Sequence, residues 1–525
     1  MGSFGMNVRV QEKHWPATAA VALLKSAPLW IFVLALSVRL LIVSVTQFDG
    51  LYGQDAFAYL ECAEQLTIGI PCGDFHWPYG YPVLAALFMR LTHASPFGAQ
   101  LASILTGAAV APLTYWTVAA IAPGPARQHQ KSIAVSAGLI AALSGQLILS
   151  SIVIMSDAPG LFWATLSACM LFQWERSAGN ARLDGLWLPA AAAALAVATT
   201  TRWIFGGLIL PFGIFTIIVG RRRLRGARSQ AAAPVTVCYP AEYASFALAA
   251  LALCAILLLQ LYLNSISPAP VLRHPWVVNW NPVNTWHRSF DNPDGHFRYP
   301  VPPLLFYAAP FIHPLYLSPL LTGCALYGAW QLRHSPAFII LGGWIATLYV
   351  YLMGIPYENG RFPLAFFPPV AILAGIGVWA LPSARPRSWP RWLLLAVSLA
   401  VTLGFTHRAF MRFDAATRQQ LASIRYLGSR VPPASTVVTF GLSISLAHYT
   451  HLAVVDLFMH SPQSLRPIIC GNQTAYLFID EDNIESQWMG RSPATNFHWL
   501  RESVGLERTG TQGTWTLYRV RPCAP

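Results

Sequence analysis

An acid that takes a proton from a hydroxyl works best where water is scarce but substrate can still reach it. The stretch "QFDGLYGQDAFAYLECA" at residues 47–63 puts Asp49 and Asp55 in that setting, directly after an apolar run. A second setting is "IVIMSDAPGLFW", where Asp157 stands between two apolar segments. Ser156 or Asp157 followed by Pro159 is also ordinary helix-start chemistry, and one residue can serve both purposes. A third stretch, "IPYENGRFPLAFFPP", carries Glu358 and Arg361 three residues apart. The planar donor fork of Arg361 suits a phosphate, with a local Glu358–Arg361 ion pair as the simpler alternative. Arg202, at the end of "LAVATTTR", is a second cation whose plain alternative is snorkelling to the membrane interface. In "GDFHWPYGYPVL", His76, Trp77, Tyr79 and Tyr81 offer faces that stack on sugar rings or isoprene units, or form an ordinary aromatic belt.

These residues must be positioned by membrane helices. Of 525 residues, 55% are hydrophobic and 10% charged, far below the charge of a soluble domain. Apolar runs of membrane-crossing length recur at roughly 28–47, 98–122, 132–153, 158–174, 186–202, 203–220, 243–263, 304–330, 336–354, 362–381 and 391–406. About eleven transmembrane helices are therefore expected, the pair joined at Thr201 and Arg202 being open to a re-entrant reading. The net charge of +13 suggests orientation before nucleic acid, because basic clusters fall in short loops on one side. With residues 1–27 cytoplasmic, "PGPARQHQK", "ERSAGNARLDG", "RRRLRGAR", "QLRHS" and "PSARPRSWPR" all lie inside. The first outer loop, 48–97, the cap loop, 264–303, and the turns bearing Asp157 and Arg361 then lie outside.

Within the first outer loop, "YPVLAALFMRL" is too short to cross and reads as an amphipathic interfacial helix. Arg39 falls near the middle of the first span, where a lone guanidinium must face the bundle and find an acid or a carbonyl. Residues 407–525 lack spans; "STVVTFG", "LAVVDLF", "TAYLFID" and "TWTLYRV" read as strands among helical segments, giving an extracytoplasmic α/β domain. Among eight cysteines, Cys62 with Cys72 and Cys470 with Cys523 share outer regions and form two candidate disulfides, the alternative being unpaired small apolar residues. No Cys/His cluster has zinc spacing, and no phosphate loop, G-x-S-x-G or H-E-x-x-H occurs, so nucleotide chemistry has no support.

Taken in order, the acid after the first span, "PYGYP", "SDAP", the Arg closing a later span and "ENGRF" resemble a GT-C membrane glycosyltransferase. The likeness is nearest the protein O-mannosyltransferases and lipid A aminoarabinose transferases and covers roughly residues 28–406. It implies a polytopic α-helical enzyme of the inner (cytoplasmic) membrane that takes a sugar from a polyprenyl-phosphate donor. Transfer to a lipid, polysaccharide or protein acceptor would occur on the extracytoplasmic face, with inversion. Carried over, Asp55 is the base, Asp49 the alternative base or a positioning acid, and Asp157 the acid that orients the acceptor or supports the base. Arg361 and Arg202 bind the donor phosphate, while Glu358, Tyr59, His76, Trp77, Tyr79 and Tyr81 position substrate. Asp49 and Asp55 lie six apart, without the tight D-x-D pair of some members, so metal-free chemistry without a cofactor is expected. A transporter or flippase is the alternative, and a sensory membrane protein a third reading; clustering of polar groups at one rim favours the transferase.

Overall fold

A computed structural model describes residues 26–521 apart from 74, 76, 122–126, 178–180, 231–238, 266–278, 293, 383–387, 472 and 473. The N-terminal segment before Ser26, His76 and Cys523 lie outside the described residues. Among the described residues, seven helices are long and apolar enough to cross a membrane. They are Ala27–Thr46, Pro96–Ala120, Trp203–Arg223, Tyr243–Leu263, Pro336–Gly354, Phe362–Ala380 and Trp389–Arg430. Gln130–Ala142 and Gly145–Ile152, bent by 52° at their junction, make an eighth if taken together.

Two expected spans become the helices Asp157–Arg176 and Ala181–Thr201. The expected span 304–330 is broken instead. A helix Pro303–Ala308 and a 3-10 turn Ala309–Ile312 precede a separate helix Pro319–Leu332. Pro310, Pro314 and Pro319 cannot supply the backbone N–H groups that a continuous helix needs, which accounts for the break.

The bundle interior is lined with small residues, including fully buried Ala108, Ala111, Ala137, Ala371 and Ala374, which allow helices to approach closely. Arg39 is fully buried, as its mid-span position requires. Its Nη1 donates to the Ala35 carbonyl at 2.7 Å and to the Ala142 carbonyl at 3.4 Å, so it finds carbonyls rather than an acid. Ala142 ends its helix, where carbonyls lack an intrahelical donor.

The short segment after the first span forms the helix Gly80–Leu91. It buries Tyr81, Ala85 and Met89 and exposes Val83, Leu87 and Leu91. That exposed stripe, at i, i+4 and i+8, is an apolar face suited to lying along lipid.

One helix of 42 residues, Trp389–Arg430, runs from the last span into the C-terminal domain, across the expected boundary at 407. The domain holds a five-stranded mixed sheet in the order β4-β3-β5-β7-β6. Its strands are β3 (Thr436–Thr439), β4 (Ala453–Asp456), β5 (Ala475–Asp480), β6 (Leu506–Gln512) and β7 (Trp515–Val520). β3 pairs parallel with β4 and β5, while β7 runs antiparallel to β5 and β6. Alternation divides the core between the two faces: Val438, Leu477 and Ile479 face one cluster, Val437, Phe478 and Leu517 the other.

All four expected strands are present. The edge strand β6, "LERTGTQ", has too few apolar residues to announce itself in sequence. A second unexpected element is the hairpin of β1 (Ser289–Asn292) and β2 (Gly295–Arg298) in the cap loop. Cys62 and Cys72 form a disulfide, and Cys470 is also disulfide-bonded.

Candidate active site

The two acid-bearing loops are stitched together below the site. Gln100, on the helix Pro96–Ala120 and 1% exposed, donates from its side-chain amide to the Phe48 carbonyl at 3.1 Å and the Ile152 carbonyl at 2.9 Å. The Ile154 N–H donates to the Gly50 carbonyl at 2.9 Å. Gly50 has φ +89°, and a Cβ there would meet the Ile154 side chain, so this loop needs glycine. One turn further along, Ser103 Oγ donates to the Met155 carbonyl at 3.3 Å and shares a hydrogen bond with Tyr81 Oη at 2.8 Å. Two segments about a hundred residues apart are thereby fixed in one register.

Arg202 is delivered by a helix break. Thr199, Thr200 and Thr201 turn their hydroxyls back onto carbonyls of their own helix, at 2.9, 3.1 and 2.7 Å. Such back-bonding bends and weakens a helix end. The backbone then becomes extended at Arg202 and resumes as a 3-10 helix, Trp203–Leu208, which leads into the helix Ile209–Gln230, so the chain breaks at the expected junction of two spans. Gly80 sits against this end; a Cβ there would lie 2.7 Å from the Thr200 carbonyl oxygen, so "PYGYP" packs backbone to backbone with the Arg202 segment. Arg361 arrives from a turn in which its own N–H donates to Asn359 Oδ1 at 3.0 Å and the Phe362 N–H to the Asn359 carbonyl at 3.1 Å.

Four charges converge there. Arg361 Nη2 pairs with Asp55 Oδ2 at 2.5 Å, Arg361 Nε lies 3.9 Å from Asp157 Oδ2, and Arg202 Nη1 pairs with Asp157 Oδ1. Both guanidinium groups lie over the Phe362 ring, at 5.3 Å for Arg202 and 5.8 Å for Arg361. Arg361 Nη1 also contacts Met155 Sδ at 2.6 Å. Burial alone would weaken the Arg361 cation, but the Asp157 and Asp55 carboxylates outweigh it, so its proton is held more firmly than in water. The acids differ in access: the Asp157 side chain is 3% exposed, that of Asp55 28%.

The remaining sequence candidates divide. Tyr59, one turn after Asp55, is buried and shares a hydrogen bond with Ser156 Oγ at 2.9 Å, beside Asp157. Burial raises its phenol above the ordinary tyrosine value. Ser156 precedes the helix Asp157–Arg176 without a side-chain capping bond, its hydroxyl going to Tyr59 instead. Trp77 stacks obliquely near Tyr59, with ring centroids 5.7 Å apart. Tyr79 and Tyr81 are buried and act as braces: Tyr79 donates its backbone N–H to Gln260, and Tyr81 bonds to Ser103 and the Ala99 carbonyl.

Asp49 does not join the four charges. It is exposed, accepts from the Leu51 N–H, and accepts from Tyr449 Oη of the C-terminal domain at 2.5 Å. Glu358 does not pair with Arg361 either, because Arg361 turns toward the aspartates. It is 7% exposed, neither carboxylate oxygen has a partner among the described residues, and burial pushes its carboxyl up to about 7.

Sequence reasoning missed Gln100, Ser103 and Tyr316, whose hydroxyl donates to the Gly360 carbonyl behind Arg361. A solitary Gln in an apolar helix was the available signal for the first, since such amides seldom go unpaired in a bundle.

The fold is that of the GT-C membrane glycosyltransferases, and the chain is a multi-pass membrane protein. Its fold is similar to the crystal structure of ArnT from Cupriavidus metallidurans bound to undecaprenyl phosphate, at 14% identity and TM-score 0.63, covering 96% of this chain and 98% of that one. It is also similar to the archaeal oligosaccharyltransferase AglB from Archaeoglobus fulgidus, in complex with an inhibitory peptide and a dolichol-phosphate, at 11% identity and TM-score 0.52, covering 93% and 74%. Residues 73–263 match the family described as dolichyl-phosphate-mannose-protein mannosyltransferase. A search of curated protein sequences finds no match. The expected likeness to GT-C enzymes therefore holds for the fold, and a family match accompanies it over residues 73–263.

Proposed function

We propose that the chain is a glycosyltransferase that moves a sugar from a polyprenyl-phosphate carrier to an acceptor hydroxyl on a lipid, polysaccharide or protein, with inversion at the anomeric carbon. The observation that carries this reading is the convergence of Asp55, Asp157, Arg202 and Arg361, from four separate segments, into one charge-balanced cluster. Such a cluster offers a base, an orienting acid and two phosphate-binding cations at one place.

In the proposed step the acceptor oxygen attacks C1 of the sugar as its proton passes to Asp55. The C1–O bond to phosphate breaks, and the polyprenyl phosphate leaves with the bonding electrons. Asp55 is the reachable acid, at 28% exposure, and its Oδ1 takes no hydrogen bond among the described residues. Asp157, buried and paired with Arg202, orients rather than abstracts. The guanidinium groups of Arg361 and Arg202 are preorganised cations for the charge that accumulates on the leaving phosphate, and such groups act most strongly where water is excluded. Two cations already answer that charge, so the step is proposed to need no divalent metal; turnover unchanged by EDTA is the expected result, and strict metal dependence would contradict it. The reaction is proposed for the extracytoplasmic face of the inner membrane, with a cytoplasmic N-terminus.

Asp55→Asn tests the assignment. Purified protein in detergent, given a polyprenyl-phosphate sugar and an acceptor extract, should lose 10²-fold or more in turnover, while its melting temperature stays near wild type. Retained turnover would remove Asp55 as the base. A transporter would yield no glycoside product in this single compartment, which separates the two classes.

A further inference from the structure

Glu358 is a buried charge-bearing group that the proposed step does not use. It precedes the Asn359–Phe362 turn that presents Arg361, and both its oxygens lie buried without a hydrogen bond among the described residues. A second such group is beside it: the Tyr299 hydroxyl oxygen lies against the Glu358 backbone N–H, and its own proton has no acceptor within hydrogen-bond geometry among the described residues. Buried polar atoms in folded proteins are nearly always satisfied, so two neighbouring exceptions call for an explanation.

The surroundings are built rather than accidental. Tyr307 Oη donates to the Tyr357 carbonyl at 2.7 Å, and the Asn359 N–H donates to Tyr307 Oη at 3.4 Å, which fixes the backbone on both sides of Glu358. Tyr299 follows the hairpin of β1 and β2, whose turn is anchored from two directions. Asn292 donates to the Pro356 carbonyl at 3.2 Å, and on the other side Gln487 of the C-terminal domain donates to the Asp294 carbonyl at 3.0 Å. Both groups are thus held in place by elements that hydrogen-bond elsewhere, and no side-chain hydrogen bond joins them.

An aromatic wall joins this point to the charge cluster. Phe297 meets Tyr357 edge to face at 5.5 Å, Tyr357 lies 6.1 Å from Phe362, and Phe362 underlies both Arg202 and Arg361. Glu358 and Arg361 are three residues apart, so their Cα atoms lie within about 11 Å. That is the scale of a single glycosyl phosphate. A carboxylate with both oxygens free accepts from two neighbouring hydroxyls, and a phenol completes the set with one further bond.

We propose that Glu358 and Tyr299 form the subsite that reads adjacent hydroxyls of the sugar ring to be transferred, while Arg361 holds the phosphate of the same donor. This rests on the carrier-dependent transferase reading above and adds to it the place where the sugar, as opposed to the lipid phosphate, is recognised. Sites built to hydrogen-bond a ligand hydroxyl discriminate strongly because their own polar groups are left unpaired otherwise.

The test is binding of three probes to the full-length protein in detergent: undecaprenyl phosphate, mannosyl-phosphoryl-undecaprenol and arabinosyl-phosphoryl-undecaprenol. Wild-type protein should bind at least one sugar-bearing carrier about tenfold or more tighter than the bare carrier. Glu358→Gln, which keeps the shape but replaces an acceptor oxygen with a donor amide, should abolish that preference and bind bare undecaprenyl phosphate within twofold of wild type. Tyr299→Phe should reduce the preference by a smaller factor. A preference retained in Glu358→Gln overturns the subsite, and so does an equal loss of bare and sugar-bearing carrier, which marks a structural role. Wild-type protein that binds bare carrier but shows no preference for either sugar also overturns it, leaving the carrier reading intact. Wild-type protein that binds none of the three overturns the carrier reading and the subsite together.

Discussion

Arg361 with Asp55 in the bundle and Arg501 with Glu485 in the C-terminal domain are both ion pairs, yet they stand in opposite physical regimes. The bundle pair is about a quarter exposed and adjoins a second pair whose aspartate is 3% exposed; the domain pair is close to half exposed on both sides. An exposed pair gains little, because water screens it and holding two long side chains costs entropy. A buried pair is held by neighbours that would be left as uncompensated charges if it were broken. Glu358 is a third regime, buried and with no side-chain hydrogen bond among the described residues. The domain stands on its two apolar clusters, and its charges serve as surface and as docking points toward the bundle, such as the Arg491–Asp291 pair with the cap hairpin. In the bundle the charges are the part that the packing exists to hold.

Breaking the buried cluster should produce the largest effect. Asp157→Ala strips Arg202 of its carboxylate partner and removes one of two from Arg361, so we expect a loss of about 3–5 kcal/mol in stability, read from denaturant or thermal melts in detergent.

The unpaired acid sharpens the comparison through pH. Burial raises the Glu358 carboxyl from 4.5 to about 7, so the folded chain binds a proton there that the unfolded chain has already released. Its contribution is complete below about pH 4.5 and is lost as pH rises toward 7, at roughly 1 kcal/mol per pH unit. Melts of wild type and Glu358→Gln across this window should therefore diverge, the variant gaining relative to wild type as pH rises and the difference levelling off above 7.

Gln100→Ala separates positioning from charge, since it leaves every ion pair chemically present. It abandons the buried Phe48 and Ile152 carbonyls and should cost about 1–3 kcal/mol, with turnover falling more than carrier affinity as the two acid loops lose their common register. At the other end, Arg501→Ala should change stability by less than about 1 kcal/mol and leave turnover unchanged.

Much of the site was legible because chemistry in a membrane is conspicuous. Asp55, Asp157, Arg202 and Arg361 stood out as ionisable groups at the ends of apolar runs, and all four are in the cluster. Asp49, similar to Asp55 by sequence position, meets a different neighbour: Tyr449, four hundred residues away, holds it toward the C-terminal domain. Glu358 and Arg361 looked like a local pair because spacing was the only available guide, and the pairing changed once two aspartates from other loops came within reach. The brace at Gln100 carried a weak signal, and the hairpin over Glu358 carried none that separated it from irregular loop.

The sequence by itself determined the solvent of each segment. Apolar run length, basic loop clusters and alternating strands set which parts form a membrane bundle and which form an α/β domain, because burial and backbone hydrogen bonding act on contiguous residues. Which charge meets which was decided only by the tertiary structure. Electrostatic partners are chosen by distance through space, and residues 55, 157, 202 and 361 become neighbours only after the helices that carry them have packed.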